Sequence, residues 1–301
     1  MGEAAAGWLM LGVVLHLGNQ VTRGRGWYAI LRTASDCAPR RRDAIAAWIA
    51  GAGAGGLVSA RGGDAVRVLL LRRRMPDTGC PLLAGTLVAE GVGELVVGAL
   101  LLAVALAVGV GPQVGASSTM VAALVAAAIS VGSLLALARR VPRLRRTTDG
   151  VRRGCAPLRA PGAYARGVLP WQLASRAFRL ASLACFLAAF GVPVSPAAVL
   201  LVAFAQGGGR LVPFAPAAVG ASVALLAASF GPVTGSAVSP ERLAAFLVGT
   251  STVLTVVGTA LALAICLRGQ ASAKQGRSAG ALLAAVAGRR APARAATVPT
   301  P

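Results

Sequence analysis

Leu82-Leu-Ala-Gly-Thr-Leu-Val-Ala-Glu90-Gly-Val-Gly-Glu94-Leu-Val-Val-Gly-Ala-Leu-Leu-Leu-Ala-Val-Ala-Leu-Ala-Val-Gly-Val110 is apolar except for Thr86 and two glutamates. A run of this length can cross a hydrocarbon core, which needs about 20 apolar residues. At i and i+4, Glu90 and Glu94 share one face of a helix. Charge at that depth costs a few kcal/mol per group, and it persists where it faces a partner, a water-filled cavity or a substrate. Just upstream lies a second charged segment, Arg61-Gly-Gly-Asp64-Ala-Val-Arg67.

The rest of the chain is of the same kind. Its 301 residues are 56% hydrophobic and only 13% charged, and its mean hydropathy is +0.73. Apolar runs recur along it, and no hydrophilic block is large enough for a soluble domain. The net charge of +21 is gathered into segments 21–43, 61–80, 139–167 and 268–301. The short loops Gly111–Ser117 and Gly191–Pro196 carry no basic residue. That is the positive-inside pattern of a multi-pass protein, so nucleic acid is not an expected partner. Abundant Ala, Gly and Arg with almost no Lys suggest a bacterial genome rich in G+C, and hence the bacterial cytoplasmic membrane. The five cysteines lie in basic flanks or apolar spans and imply no disulfide framework.

The expected fold is an all-α polytopic membrane protein with about five full crossings and two re-entrant or broken hairpins. The crossings are Ala4–Val21, uncleaved and ending at Arg23 with the N-terminus outside, then Leu82–Val110, Ser118–Ala138, Val168–Gly191 and Leu243–Leu267. Ala44–Ala60 is short, Gly-rich and flanked by basic residues on both sides, so it reads as a hairpin dipping in from the cytoplasm. Ala197–Phe230 is too long for one helix and is interrupted around Gly208, Arg210, Pro213, Pro216 and Gly220. Segment 139–167 reads as a cytoplasmic loop broken by prolines. The transmembrane domain covers 1–268, and 269–301 forms a basic, mobile cytoplasmic tail.

Several of these segments resemble a known family. Ser59-Ala-Arg61-Gly-Gly-Asp64-Ala-Val-Arg67 resembles the PARxGExxR stretch of the lysylphosphatidylglycerol synthase transmembrane, flippase-like family. Glu90-Gly-Val-Gly-Glu94 is similar to its ERxxD motif, and Gly26-Trp27-Tyr28-Ala29-Ile30-Leu31 to its RWxxLL. Trp171-Gln172 through Arg176 and Ala189-Phe190-Gly191 resembles its Q…R…AFG helix. Val212-Pro213-Phe214-Ala215-Pro216 through Gly220 resembles its LPxxPGGLG break. The order holds from about Gly26 to Phe230. The sequence departs from the pattern at Gly91, where the family has arginine, and at Ala217 and Ala218, where it has glycines. The resemblance implies binding or movement of a lipid, often an aminoacylated or glycosylated phospholipid. The synthases' separate catalytic domain has no counterpart here.

Each candidate residue admits a plainer reading. Arg61, Asp64 and Arg67 form one helical stripe that suits phosphate, since guanidinium forks match phosphate oxygens; it suits an internal ion pair equally. Glu90 and Glu94 call for compensation by Arg61, Arg67, a cationic headgroup or a proton. Arg176 matches the family motif beside Gln172, while Arg179 reads as a side chain snorkelling to the interface. Arg210, at a helix break, sits where amides attract phosphate. His16 reads as packed or interfacial. With no HExxH, GxSxG, P-loop or CxxC motif, no enzyme activity, cofactor or metal is expected. The expected role is a lipid flippase or transporter. It would bind a phospholipid or lipid-linked headgroup through Arg61, Asp64, Arg67, Glu90, Glu94, Gln172, Arg176 and Arg210. Gly208, Pro213, Pro216 and Gly220 would serve as a helix break. The alternative is a non-catalytic scaffold whose partner is a lipid- or envelope-polysaccharide-synthesis enzyme.

Overall fold

The computed structural model describes residues 3–35, 37, 39–57, 60–107, 142–209 and 215–288. Among these every regular element is helical: α1 (Glu3–Ala34), α2 (Arg41–Leu57), α3 (Ala60–Arg74), α4 (Cys80–Ala107), α5 (Pro142–Gly154), α6 (Pro161–Gly167), α7 (Leu169–Ala189), α8 (Pro196–Gly209), α9 (Ala215–Thr234) and α10 (Pro240–Gly288), with a 3-10 turn at Ala156–Arg159. The chain is an all-α polytopic membrane protein. Among the described residues, Glu3–Ala34, Cys80–Gly98 and Pro240–Arg268 are long and apolar enough to cross a bilayer, and Pro196–Gln206 and Ser222–Thr234 are shorter apolar segments. The expected span Ser118–Ala138 lies outside the described residues. The chain divides into two compact units, Met1–Ala262 and Leu263–Pro301. In the second, helix continues to Gly288.

In the first unit α1 runs antiparallel to α7. Gly12 faces Phe186, Gly18 faces Phe178 and Gly26 faces Trp171, so positions fall along α7 as they rise along α1. A Cβ at Gly12 would stand 2.8 Å from the Phe186 ring. Ser182 Oγ adds a hydrogen bond to the Gly12 carbonyl at 2.7 Å. The expected end of this helix at Arg23 is corrected, because α1 continues to Ala34. The physical reason is a stripe of buried residues at helical spacing, Asn19, Thr22, Trp27, Ile30 and Leu31, which keeps one face packed beyond Arg23.

The hairpin expected within Ala44–Ala60 is larger than that segment. It consists of α2 and α3 packed face to face, so the Arg61–Arg67 stripe lies on its returning helix. Gly51 touches Gly63 and the stem of Arg67, and Gly55 touches Gly63; this is an antiparallel pair whose backbones meet without side chains between them. Segment 139–167, expected as a loop, holds α5, the 3-10 turn and α6. Its prolines open elements instead of breaking them, because the missing N–H is free at a first turn anyway: Pro142 begins α5 and Pro161 begins α6. Gly85 and Gly154 seat α5 against α4.

The described residues of segment 197–230 form two helices, α8 and α9, joined by Ser222 Oγ donating to the Ala205 carbonyl at 3.0 Å. Gly191 ends α7 with φ +65°. Val192 N bonds to Leu187 O at 2.9 Å and Gly191 N to Ala188 O at 3.1 Å, a Schellman motif that needs a residue free to adopt positive φ. One apolar core gathers Phe186, Leu187, Val202, Leu226, Phe230 and Phe246. Another gathers Trp27, Leu31, Trp48, Leu71 and Leu83.

These packings predict opposite outcomes for two glycines. Gly63→Ala drives a methyl into the Gly51 carbonyl and the Gly55 backbone, and should cost about 1–3 kcal/mol, read as a Tm lower by several degrees in detergent. Gly91→Ala meets nothing within 4 Å and should leave Tm unchanged or raise it, since Ala is the better helix former by about 1 kcal/mol.

Candidate functional site

The antiparallel register of α1 with both α4 and α7 brings four charged side chains to one level. Arg23 Nη2 donates to Glu90 Oε1 at 2.8 Å and also to Glu94 Oε2. Arg176 Nη2 donates to Glu94 Oε1 and to the Glu94 carbonyl, both at 3.1 Å. Glu90 is buried, and the Arg23 side chain is only 14% exposed. One turn further along α1, Trp27 Nε1 donates to Thr86 Oγ1 at 3.0 Å and fixes the α1–α4 register. Two arginines thus face two glutamates. In a low-dielectric interior each charge needs such a partner, because a buried ion stripped of its counter-ion costs several kcal/mol.

Side chains from α6 and α7 tether the backbone of α4 at the same level. Tyr164 Oη donates to the Ala89 carbonyl at 3.1 Å. Gln172 Nε2 donates to the Glu90 carbonyl at 3.3 Å and to Tyr164 Oη at 3.1 Å. Burial pushes the Tyr164 hydroxyl above its ordinary range, with the Gln172 hydrogen bond pulling the other way and Glu90 adding to the rise, so it remains a donor. Gly93 is the close-approach position: a Cβ there would run into the Tyr164 hydroxyl and the Gln172 amide. Gln172 Oε1 is buried and accepts no hydrogen bond from the described residues.

A second layer lies on the hairpin side. The guanidinium carbons of Arg23 and Arg67 stand 4.9 Å and 3.8 Å from the Trp48 ring centroid, both within cation–π range. Arg67 Nη1 also holds Asp64 Oδ1 at 2.7 Å, with Asp64 half exposed. On its other side Trp48 Nε1 donates to Gln20 Oε1 at 3.2 Å.

Of the residues singled out from the sequence, Glu90, Glu94, Gln172 and Arg176 meet directly. Arg67 joins them through Trp48 and Arg23, with Asp64 as its ion-pair partner. Arg61 falls in the first turn of α3, and its side chain lies outside the described residues, as do Arg210 and Pro213. Gly208 is in the last turn of α8, Pro216 in the first turn of α9 and Gly220 inside α9. Beyond the expected candidates for compensating the glutamates, the described residues supply two more cations that pair with them directly, Arg23 and Arg176. Arg23 is the residue that sequence reasoning missed, because it was taken as the basic flank of a span. The signal was its place between Asn19, Thr22 and Trp27 on the packed face of α1. Trp48 and Tyr164 gave no comparable signal, since a lone aromatic in an apolar or basic segment has many uses.

The family model of the lysylphosphatidylglycerol synthase TM region matches residues 3–262. The chain belongs to this family. No curated protein and no solved structure matches it. Membership in the lysylphosphatidylglycerol synthase TM region family ties the chain to a membrane lipid-related function. Gly91, where that family's pattern has arginine, is open on all sides, and the cation beside Glu90 comes from α1 instead.

Arg23→Gln removes both glutamates' common partner and should destabilise the fold by about 3–5 kcal/mol. Adding Glu90→Gln should restore part of that loss. A double-mutant cycle by thermal unfolding in detergent measures the coupling; additive losses would show that the two side chains act independently.

Proposed function

We propose that this chain binds the headgroup of a membrane lipid at the Arg23–Glu90–Glu94–Arg176 cluster and moves it across the bilayer. The observation that carries the reading is the cluster itself: four charges, Glu90 buried and the other three partly so, brought together by α1, α4 and α7 of a membrane protein, an arrangement that usually marks a substrate or ion path. Three further features support it. Gln172 Oε1 is a buried acceptor ready for a hydroxyl or ammonium donor. Glu94 divides its carboxylate between Arg23 and Arg176, so one bond can open while the other holds. Arg67, lying on Trp48, offers a guanidinium fork to a phosphate. The passenger is a phospholipid or a lipid-linked headgroup whose acyl chains stay in the bilayer. The location is the bacterial cytoplasmic membrane with the C-terminus inside, in keeping with the basic segments. No catalytic step is assigned.

One observation favours a second reading. Both glutamates already have arginine partners, as a purely structural clamp in a scaffold for an envelope-synthesis enzyme would require. Reconstituted vesicles separate the two. Under the transport reading, fluorescent lipids change leaflet faster than in empty vesicles, and Arg67→Ala and Glu94→Gln each slow that step at least ~10-fold, about 1.4 kcal/mol on the barrier. Under the scaffold reading no lipid moves faster than in empty vesicles, and a stoichiometric partner is still captured by Glu94→Gln.

A further inference from the structure

The chain has one histidine, and hydrogen bonds through Gln20 link it to Trp48, on whose ring two arginines lie. Gln20 Nε2 lies 3.0 Å from His16 Nε2, and Gln20 Oε1 accepts from Trp48 Nε1 at 3.2 Å. An indole N–H can only donate. The amide end facing Trp48 is therefore the oxygen, the end facing His16 is the NH2, and His16 Nε2 must offer its lone pair. The geometry thus requires a neutral imidazole with its proton on Nδ1.

We infer that His16 is a proton-binding site coupled through Gln20 and Trp48 to the guanidiniums of Arg23 and Arg67. A proton taken up at Nε2 turns the imidazole into a donor on both nitrogens. Gln20 then faces donors at both ends but has a single oxygen. If the amide turns to serve His16, its NH2 meets the Trp48 N–H and that hydrogen bond is lost. If it does not turn, two donors confront each other at His16. Either way one link of the chain breaks. Trp48 is the ring on which Arg23 and Arg67 lie at 4.9 and 3.8 Å, so its release alters the surroundings of both. The coupling is reciprocal: an anion that draws Arg23 or Arg67 off the ring must change the affinity of His16 for its proton.

The site is built for one ionisation. A void of about 40 Å³ reaches His16 and Gln20 between α1, α2 and α10, above the size one water needs, so a proton can exchange without a large opening. Its other lining residues are Leu17, Ile49, Ala52, Gly53, Leu254, Val257, Gly258 and Leu261, none titratable. On α7, which also packs on α1, the ionisable side chains are Arg176, Arg179 and Cys185: Arg176 holds Glu94, Arg179 donates to Gln206, and Cys185 is buried. On α2 the charged groups are Arg41, Arg42 and Asp43, at its opposite end. On α3 and α4 they are Asp64, Arg67, Glu90 and Glu94, already placed in the cluster, together with Arg61 in the first turn of α3 and Arg72, Arg73 and Arg74 in its last.

The bearing of this coupling on transport rests on the function proposed above; the coupling itself does not. A single histidine and four tryptophans make it directly measurable by NMR in the full chain, purified with a tag free of histidine and held in lipid nanodiscs. The imidazole is followed by its ring nitrogens between about pH 5 and 8, the range in which histidine titrates, and Trp48 by its indole N–H signal, assigned by its loss in Trp48→Phe. The expected result is that both titrate with one midpoint, and that in Gln20→Leu the imidazole titrates while the Trp48 signal stays still. An imidazole that does not titrate, or titrates without moving Trp48 in the native chain, overturns the inference. So does a Trp48 shift that persists in Gln20→Leu. Should that variant fail to fold, the two native-chain titrations still decide. A chain that moves lipid but shows no shared midpoint refutes the coupling alone. A shared midpoint without lipid movement refutes the transport reading alone.

Discussion

Arg23 held between Glu90 and Glu94 is the interaction on which the first unit depends. It is the point at which α1, the longest helix of that unit, is tied to α4, and through Glu94 to α7. The apolar cores on either side would pack with many side chains of similar volume. The ion pairs accept far less variation, because a carboxylate at this depth without its arginine has nowhere to put its charge. The helix registers follow from that requirement: Trp27 reaches Thr86 only when Arg23 reaches Glu90, and Gly26 takes Trp171 only when Arg176 is level with Glu94.

Small residues make these registers possible. Gly12 and Gly18 admit aromatic rings from α7, Gly26 admits the Trp171 Cβ, Gly51 and Gly63 let α2 and α3 touch, and Gly93 leaves room for Gln172 and Tyr164. Without a hydrophobic drive between helices inside lipid, such close approach and a few polar links are what hold helices together. The cluster is therefore part of the framework as well as the proposed site, and its charged residues are engaged with one another.

Much of this was legible in the sequence. Hydropathy gave the membrane class. The i, i+4 spacing of Glu90 and Glu94 gave the shared face, and Gln172 and Arg176 came from the resemblance of their helix to the family's Q…R…AFG pattern. What the sequence left open was which cation meets which anion. Glu90 is 67 residues from Arg23 and 82 separate Glu94 from Arg176, while Asp64 and Arg67, three apart, advertised a local pair that the structure keeps as a neighbour of the site. Proline was misleading for a similar reason: Pro142 and Pro161 break a chain read as a string, yet each occupies the first turn of a helix, where it does no harm.

The balance of the cluster has an electrical consequence. With Arg23, Arg176, Glu90 and Glu94 all ionised, the group carries no net charge. A membrane potential does about 2.3 kcal/mol of work per elementary charge per 100 mV, and on a neutral group that moves as one body this work cancels. The cluster is therefore a poor voltage sensor. Under the proposed transport, an electrical signature belongs to the passenger and to any proton taken up at His16, so the current accompanying each turnover, measured at a pH where His16 stays neutral, would read out the charge of the lipid before its identity is known.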